Sequence, residues 1–146
     1  MEYPILVLLH VLLAIIIIGG ILITSFIVIP YARKTNAPDF AFQFIKAFNR
    51  GSHAALTIQF LIGFRLAMNY LPIGEWFGFA NSVSASIVIK LTLWVLLFAI
   101  NIISTRKIKL AAESGDISVP TLWFGILSVI ALALMVTGLN FKLSLF

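Results

Sequence analysis

Hydrophobic residues run along this chain in long stretches with few polar interruptions, instead of alternating with polar positions. A helix that crosses the hydrocarbon core of a bilayer needs about 20 predominantly apolar residues. Four stretches approach or exceed that length, and we predict that each is a membrane-spanning helix: 5–29, 54–70, 85–104 and 121–141. Four such spans joined by short loops predict an all-α, integral membrane four-helix bundle, with residues 1–146 forming a single transmembrane domain.

The composition agrees with that prediction. The 146 residues are 62% hydrophobic and only 10% charged, with a mean hydropathy of +1.13. A soluble domain has roughly 45–50% apolar and 25% charged residues. The small polar fraction excludes a soluble enzyme and a free nucleic-acid-binding domain, so the expected partner is the lipid bilayer. The absence of cysteine excludes disulfides and thiolate metal sites.

The distribution of basic residues predicts the orientation. Most of the Lys and Arg residues fall in the first and third connections: Arg33, Lys34, Lys46, Arg50, Arg106, Lys107 and Lys109. Short loops rich in Lys and Arg remain in the cytoplasm. We therefore predict that loops one and three are cytoplasmic and that both termini lie outside, an N-out/C-out topology.

Two segments between the spans have a distinctive aromatic content. The first span is predicted to end at Pro30, and a Phe-rich segment follows over 38–51. This segment is either an amphipathic helix lying at the level of the headgroups in the first cytoplasmic loop, or a cytoplasmic extension of the second span. In the outer loop, Trp76 and Phe77 are typical of the aromatic belt at a membrane surface.

Three ionisable residues lie within the predicted spans, at a cost of about 2.5–3.5 kcal/mol each on insertion scales. His10, Arg65 and Lys90 all fall roughly 5–9 Å to the outer side of the span midpoints, given a rise of about 1.5 Å per residue. His53 is predicted to lie about 20 Å from His10 along the membrane normal, so the two are not expected to form one site.

The predicted layer contains two cations, whereas no Asp or Glu lies within a span. It therefore requires water, a lipid phosphate or a ligand that bears carboxylates. Haem b satisfies this requirement, with His10 as an axial ligand, Arg65 as a partner of the propionates and Lys90 in either role. The alternatives are that His10 bonds to a neighbouring helix and that Arg65 and Lys90 extend to the outer headgroups.

Several short motifs follow one another in a recognisable order. Leu9-His10-Val11, Gly19-Gly20 and Pro30 mark the first span, and they are followed by Gln59, Gly63, Leu66-Ala67, Pro72, Trp76, Lys90-Leu91 and Gly138. This order resembles the copper-resistance D (CopD) family of small bacterial membrane proteins. The resemblance implies a multi-pass protein of the bacterial inner membrane that handles copper, with His10 as the candidate metal ligand.

A more distant likeness is to the HemJ type of protoporphyrinogen oxidase. That group is understood to hold haem b through a His on its first helix and a Lys on its third, and His10 and Lys90 occupy matching positions. The leading hypothesis is thus a CopD-like protein with haem b in the outer half of the bundle, for electron transfer or metal handling. The alternatives are a copper transport or resistance protein, an accessory subunit of a larger membrane complex or a homo-oligomer, and a HemJ-like enzyme.

Overall fold

The computed structural model describes residues 2–79 and 81–143, and the chain is all-helical over these ranges. The elements, in chain order, are α1 (Glu2–Ile23), a π-helical turn (Thr24–Val28), α2 (Ile29–Lys34), α3 (Pro38–Tyr70), a 3₁₀ helix (Ile73–Gly78), α4 (Ser82–Ser114) and α5 (Ser118–Leu143). The segments that join the long helices are therefore short, as predicted.

Three of the helical segments within the described ranges are long and apolar enough to cross a membrane: Tyr3–Lys34, Ser82–Ser114 and Ser118–Leu139. They contain the predicted first and third spans and residues 121–139 of the predicted fourth. The predicted second span lies in α3, which has 33 residues but is more polar. Several of the polar residues of α3 are buried against other helices, including Asn49, Ser52 and Gln59.

The first helical segment does not end at Pro30, contrary to the sequence prediction. A proline inside an α-helix removes one hydrogen bond, and its ring clashes with the carbonyl of the preceding turn. Here the π-helical turn comes directly before it, and the backbone N–H of Ile29 bonds to the carbonyl of Thr24, five residues earlier. Pro30 then occupies the first turn of α2, where a missing N–H costs least, and the helix continues to Lys34.

The Phe-rich segment 38–51 is the beginning of α3, so the second of the two interpretations describes it. Its apolar residues do not form one exposed face. Phe42 and Ile45 are buried, and the ring of Phe48 lies against the backbone of α1 at Gly20. The segment is held as a continuation of the helix because it packs on α1 and α2.

The long helices contact one another around the core. Helix α1 packs against α3 and α5, and α4 packs against the same two helices. Their shared core contains fully buried side chains from each of the four: Ile21, Leu56, Leu97 and Phe124. The turns between helices use residues that tolerate left-handed backbone, namely Asn36 (φ 53°) and Gly115 (φ 67°).

Trp76 differs from its predicted place in an exposed aromatic belt. The side chain is only 1% exposed, and its Nε1–H donates to the carbonyl of Leu71 at 2.8 Å. Its ring also packs edge-on against Phe64, with 5.0 Å between the centroids. The neighbouring Phe77 is exposed. Trp76 therefore fastens the 3₁₀ helix to the end of α3.

Candidate functional site

His10 lies between α1 and α3, where it meets two residues on one face of α3. Its Nε2 is 3.3 Å from Nε2 of Gln59. One turn further along α3, Gly63 leaves room for the imidazole, because a Cβ at this position would lie 3.0 Å from Cε1 and 3.6 Å from Nδ1 of His10. Gln59 and Gly63 are four residues apart and therefore share a helix face. The two residues form a cradle for the ring.

The second ring nitrogen of His10 is buried and has no hydrogen-bond partner among the described residues, and the same holds for Oε1 of Gln59. If the amide NH₂ of Gln59 donates to Nε2, the proton of the neutral ring lies on Nδ1. If the amide presents its oxygen instead, Nε2–H donates to Gln59 and Nδ1 carries a lone pair. A ligating histidine commonly donates its other N–H to an oxygen acceptor in this way. The pair is thus suited to hold Nδ1 as a ligand.

Lys90, on α4, lies within electrostatic range of His10. One turn further along α4, Trp94 has a buried Nε1–H that finds no partner in the described part of the chain. Three helices thus contribute polar groups to this part of the protein: an imidazole from α1, an amide from α3, and an amine and a buried indole N–H one turn apart on α4. Buried polar groups of this kind are normally paired with protein, water or a ligand.

Arg65 is not brought into this cluster. Its side chain is exposed, and Nη1 donates to Oδ1 of Asn69 at 2.7 Å, one turn away on the same helix. Arg65 follows Gly63 by two residues, which rotates it roughly 200° around the axis of α3. The sequence grouped Arg65 with His10 by predicted depth, but depth does not specify the direction in which a side chain points.

His53 has different surroundings, as expected from its position on α3. Its ring packs edge-on against Phe98 of α4, with 6.4 Å between centroids and an interplanar angle of 88°. Nε2 of His53 is buried and lacks a partner within the described ranges. His53 lines a shallow groove of about 350 Å³ together with Phe98, Ile102, Thr105 and Arg106.

A row of aromatic rings in mutual contact runs from the 3₁₀ helix to His53. In order of contact its members are Trp76, Phe64, Phe60, Trp94, Phe98 and His53. The shortest centroid distances are 4.5 Å for Phe60 with Trp94, 5.0 Å for Phe64 with Trp76 and 5.1 Å for Trp94 with Phe98, whose rings are nearly parallel. Such pairs each add about 0.5–1.5 kcal/mol beyond area burial, and two of them, Phe60 with Trp94 and His53 with Phe98, join α3 to α4.

A second polar cluster lies further along the same two helices. Nδ2 of Asn49 donates to Oγ1 of Thr105 at 3.1 Å, and the Thr105 hydroxyl donates to the carbonyl of Asn101. Asn49 and Asn101 are 6% and 1% exposed, and their Oδ1 atoms have no partner in the described part of the chain. Thr105 therefore links Asn101 of α4 to Asn49 of α3.

No group of three or more His, Cys, Asp or Glu side chains that could hold a metal ion occurs among the described residues. His10 is not part of such a group. Haem demands less of the protein than a bare copper ion, because the porphyrin itself supplies four nitrogen ligands and one or two axial ligands complete the coordination.

Compared with models of protein families, with curated proteins and with solved structures, the chain shows no match. The likeness to the CopD and HemJ groups stays a prediction that rests on the motifs themselves.

The sequence did not identify the immediate surroundings of His10. Gln59 and Gly63 were assigned only to helix packing, and Trp94 was not singled out. Two signals were present, since Gln59 and Gly63 are spaced by four residues and so are Lys90 and Trp94. Which face of each helix turns toward His10 depends on packing, and a single-sequence pattern does not supply it.

Proposed function

We propose that this protein crosses the bacterial inner membrane four times as an N-out/C-out bundle and binds haem b in its outer half. The observation that carries the proposal is Nδ1 of His10, which is buried and unpartnered among the described residues while its ring packs against α3 at Gly63. In this proposal α3, which contains the predicted second span, crosses the membrane in addition to the three more apolar segments. Its buried polar residues explain why it is less apolar than the others.

His10 would ligate the haem iron, with Gln59 holding the orientation and tautomer of its ring. Lys90, on α4, would be a further ligand when neutral or a propionate partner when charged. Arg65 lies on a different face of α3 from Gly63 and bonds to Asn69, so the predicted propionate role is not assigned to it. Haem b would supply one-electron transfer, and the protein's residues would bind and orient it and keep water away.

The test is an absorption spectrum of the detergent-purified protein from haem-replete cells, taken as isolated and after reduction with dithionite. We expect a Soret band and sharpened bands after reduction. In the variant His10→Ala the Soret band should fall to about the level of free haem in detergent, because an axial bond is lost. His53→Ala is the matched control, since His53 lies in a different groove, and its spectrum should be unchanged.

A colourless protein would overturn the haem proposal, and so would equal loss of the Soret band in both variants. Copper handling, the alternative that the CopD resemblance implies, requires copper in stoichiometric amount after purification. An accessory role requires a stoichiometric partner that co-purifies in mild detergent. Complementation of a strain that lacks protoporphyrinogen oxidase tests the HemJ-like activity directly.

A further inference from the structure

The groove between α3 and α4 has a composition that changes along its length. Phe98 and Ile102 form its apolar part, while Thr105 and Arg106 lie at one end. Arg106 comes two residues after the predicted third span, 85–104, so this end of the groove is at the membrane surface. The apolar part continues into the hydrocarbon region. The groove therefore has the polarity profile of one phospholipid, with a polar head and an apolar chain.

Basic residues surround the polar end of this groove. The hydrogen bond between Asn49 of α3 and Thr105 of α4 shows that these two residues lie opposite each other. Because α3 and α4 are antiparallel, the residues that follow each partner, Arg50 and Arg106, lie on the same side of the helix pair. Both are exposed, and so are Lys46 and Lys109, one turn further toward the membrane surface on each helix.

No carboxylate opposes these charges in the nearby sequence. The stretches 44–53 on α3 and 98–109 on α4 contain these four basic residues and Lys107, and no Asp or Glu. His53 adds a polar atom inside the groove, since its Nε2 is buried and has no partner among the described residues. A ligand that carries negative charge at the surface and apolar chains below it would complement this set of groups.

We propose that the groove is a binding site for an anionic phospholipid. Arg50 and Arg106 contact the phosphate, Lys46 and Lys109 strengthen the local positive potential, and one acyl chain lies along Ile102 and Phe98. Basic pockets between spanning helices on the cytoplasmic side are recognised sites for acidic headgroups. The proposal is independent of haem binding, because it uses none of the residues around His10.

The experiment is native mass spectrometry of delipidated protein, titrated with dioleoyl phosphatidylglycerol or with dioleoyl phosphatidylcholine. The two lipids have the same chains and differ in net charge. Each basic residue near an anionic surface adds about fivefold to binding, so phosphatidylglycerol should bind roughly tenfold to thirtyfold more tightly. The double variant Arg50→Gln/Arg106→Gln should remove most of this preference.

Two further variants keep the result interpretable. Arg33→Gln/Lys34→Gln removes the same charge at the same end of the helices, but away from the groove, and should retain the preference. Ile102→Trp fills the groove without altering charge and should weaken phosphatidylglycerol binding. Equal binding of the two lipids would overturn the proposal. So would equal losses in both charge variants, or competition by inorganic phosphate at the lipid's own concentration, which would identify a free-phosphate site.

Discussion

At the scale of single residues, the adjacent glycines of α1 show how much the effect of a substitution depends on which way the residue faces. A Cβ at Gly20 would collide with the ring of Phe48, whereas one at Gly19 would meet nothing within 4 Å. Phe48 in turn packs against Phe124, with 6.4 Å between the ring centroids. The sequence predicted close helix approach for the pair as a whole. It could not separate the two positions, because the neighbour that decides belongs to the Phe-rich segment, whose placement was open.

We expect Gly20→Ala to lower the free energy of unfolding by about 1–3 kcal/mol, the usual cost of overpacking a core. Gly19→Ala should change it by less than about 0.5 kcal/mol, as surface substitutions usually do. Thermal unfolding in detergent, followed by circular dichroism, measures both. Adding Phe48→Leu to the Gly20 variant should restore part of the loss. Equal effects of the two alanine substitutions would contradict the packing described for Phe48.

At the scale of elements, helix existence was predicted well and helix ends were not. The first span was predicted to stop at Pro30, yet the π-helical turn accommodates the proline and the helix reaches Lys34. The second span was predicted over 54–70, with the segment 38–51 as either a separate amphipathic helix or an extension of it, and α3 runs without a break from Pro38 to Tyr70. The sequence could not fix either helix boundary, for one physical reason. Packing between α1, α2 and α3 continues beyond the apolar stretches that the sequence pattern detects.

The start of α5 provides a test at this scale through Asp116. Its carboxylate accepts from the backbone N–H of Ser118 at 2.9 Å and from the Ser118 hydroxyl at 2.6 Å. These hydrogen bonds hold the pKa of Asp116 below its ordinary value of 3.8. Since the folded-state pKa is the lower one, the stabilisation is present above pH 3.8 and is lost as the pH falls through the folded-state pKa.

The variant Asp116→Asn keeps an oxygen acceptor but cannot ionise. We expect it to be less stable than the wild type at about pH 6, and the difference should disappear as the pH falls to about 3. Unfolding midpoints across this range provide the measurement. Glu113→Gln removes a nearby carboxylate that is not part of this turn, and it serves as the control. A difference that grows on acidification would have the wrong sign for the hydrogen bonds described.

At the scale of the whole molecule, hydropathy identifies the apolar segments and misses the role of α3. Three segments are apolar enough to cross a membrane, while α3 combines exposed apolar residues with buried polar ones. Its Asn49, Ser52 and Gln59 are buried among the other helices. Average hydropathy counts such residues as if they faced lipid. The prediction of a span in α3 came instead from the low count of charges and from the length of the stretch 54–70.

The orientation can be tested with single cysteines, because the native chain has none. We expect Asn36→Cys and Ser114→Cys to be protected from a membrane-impermeant maleimide in spheroplasts, since both lie beside the basic turns. Gly74→Cys, on the 3₁₀ helix at the other end, should react. All three should react after detergent is added. The reverse pattern in spheroplasts would invert the proposed topology. Equal labelling of Asn36→Cys and Gly74→Cys, with the opposite result at Ser114→Cys, would argue against α3 as a span.

The aromatic chain between α3 and α4 has an optical consequence. Trp94 is one of only three tryptophans, and it stacks on Phe98 of the lipid-binding groove while lying one turn from Lys90. A haem near Lys90 would quench the fluorescence of Trp94 by energy transfer. A phospholipid in the groove would leave the fluorescence intensity unchanged and shift the emission maximum. With Trp76 and Trp123 replaced by phenylalanine, Trp94 would be the single tryptophan, and its fluorescence would distinguish the two ligands in one experiment.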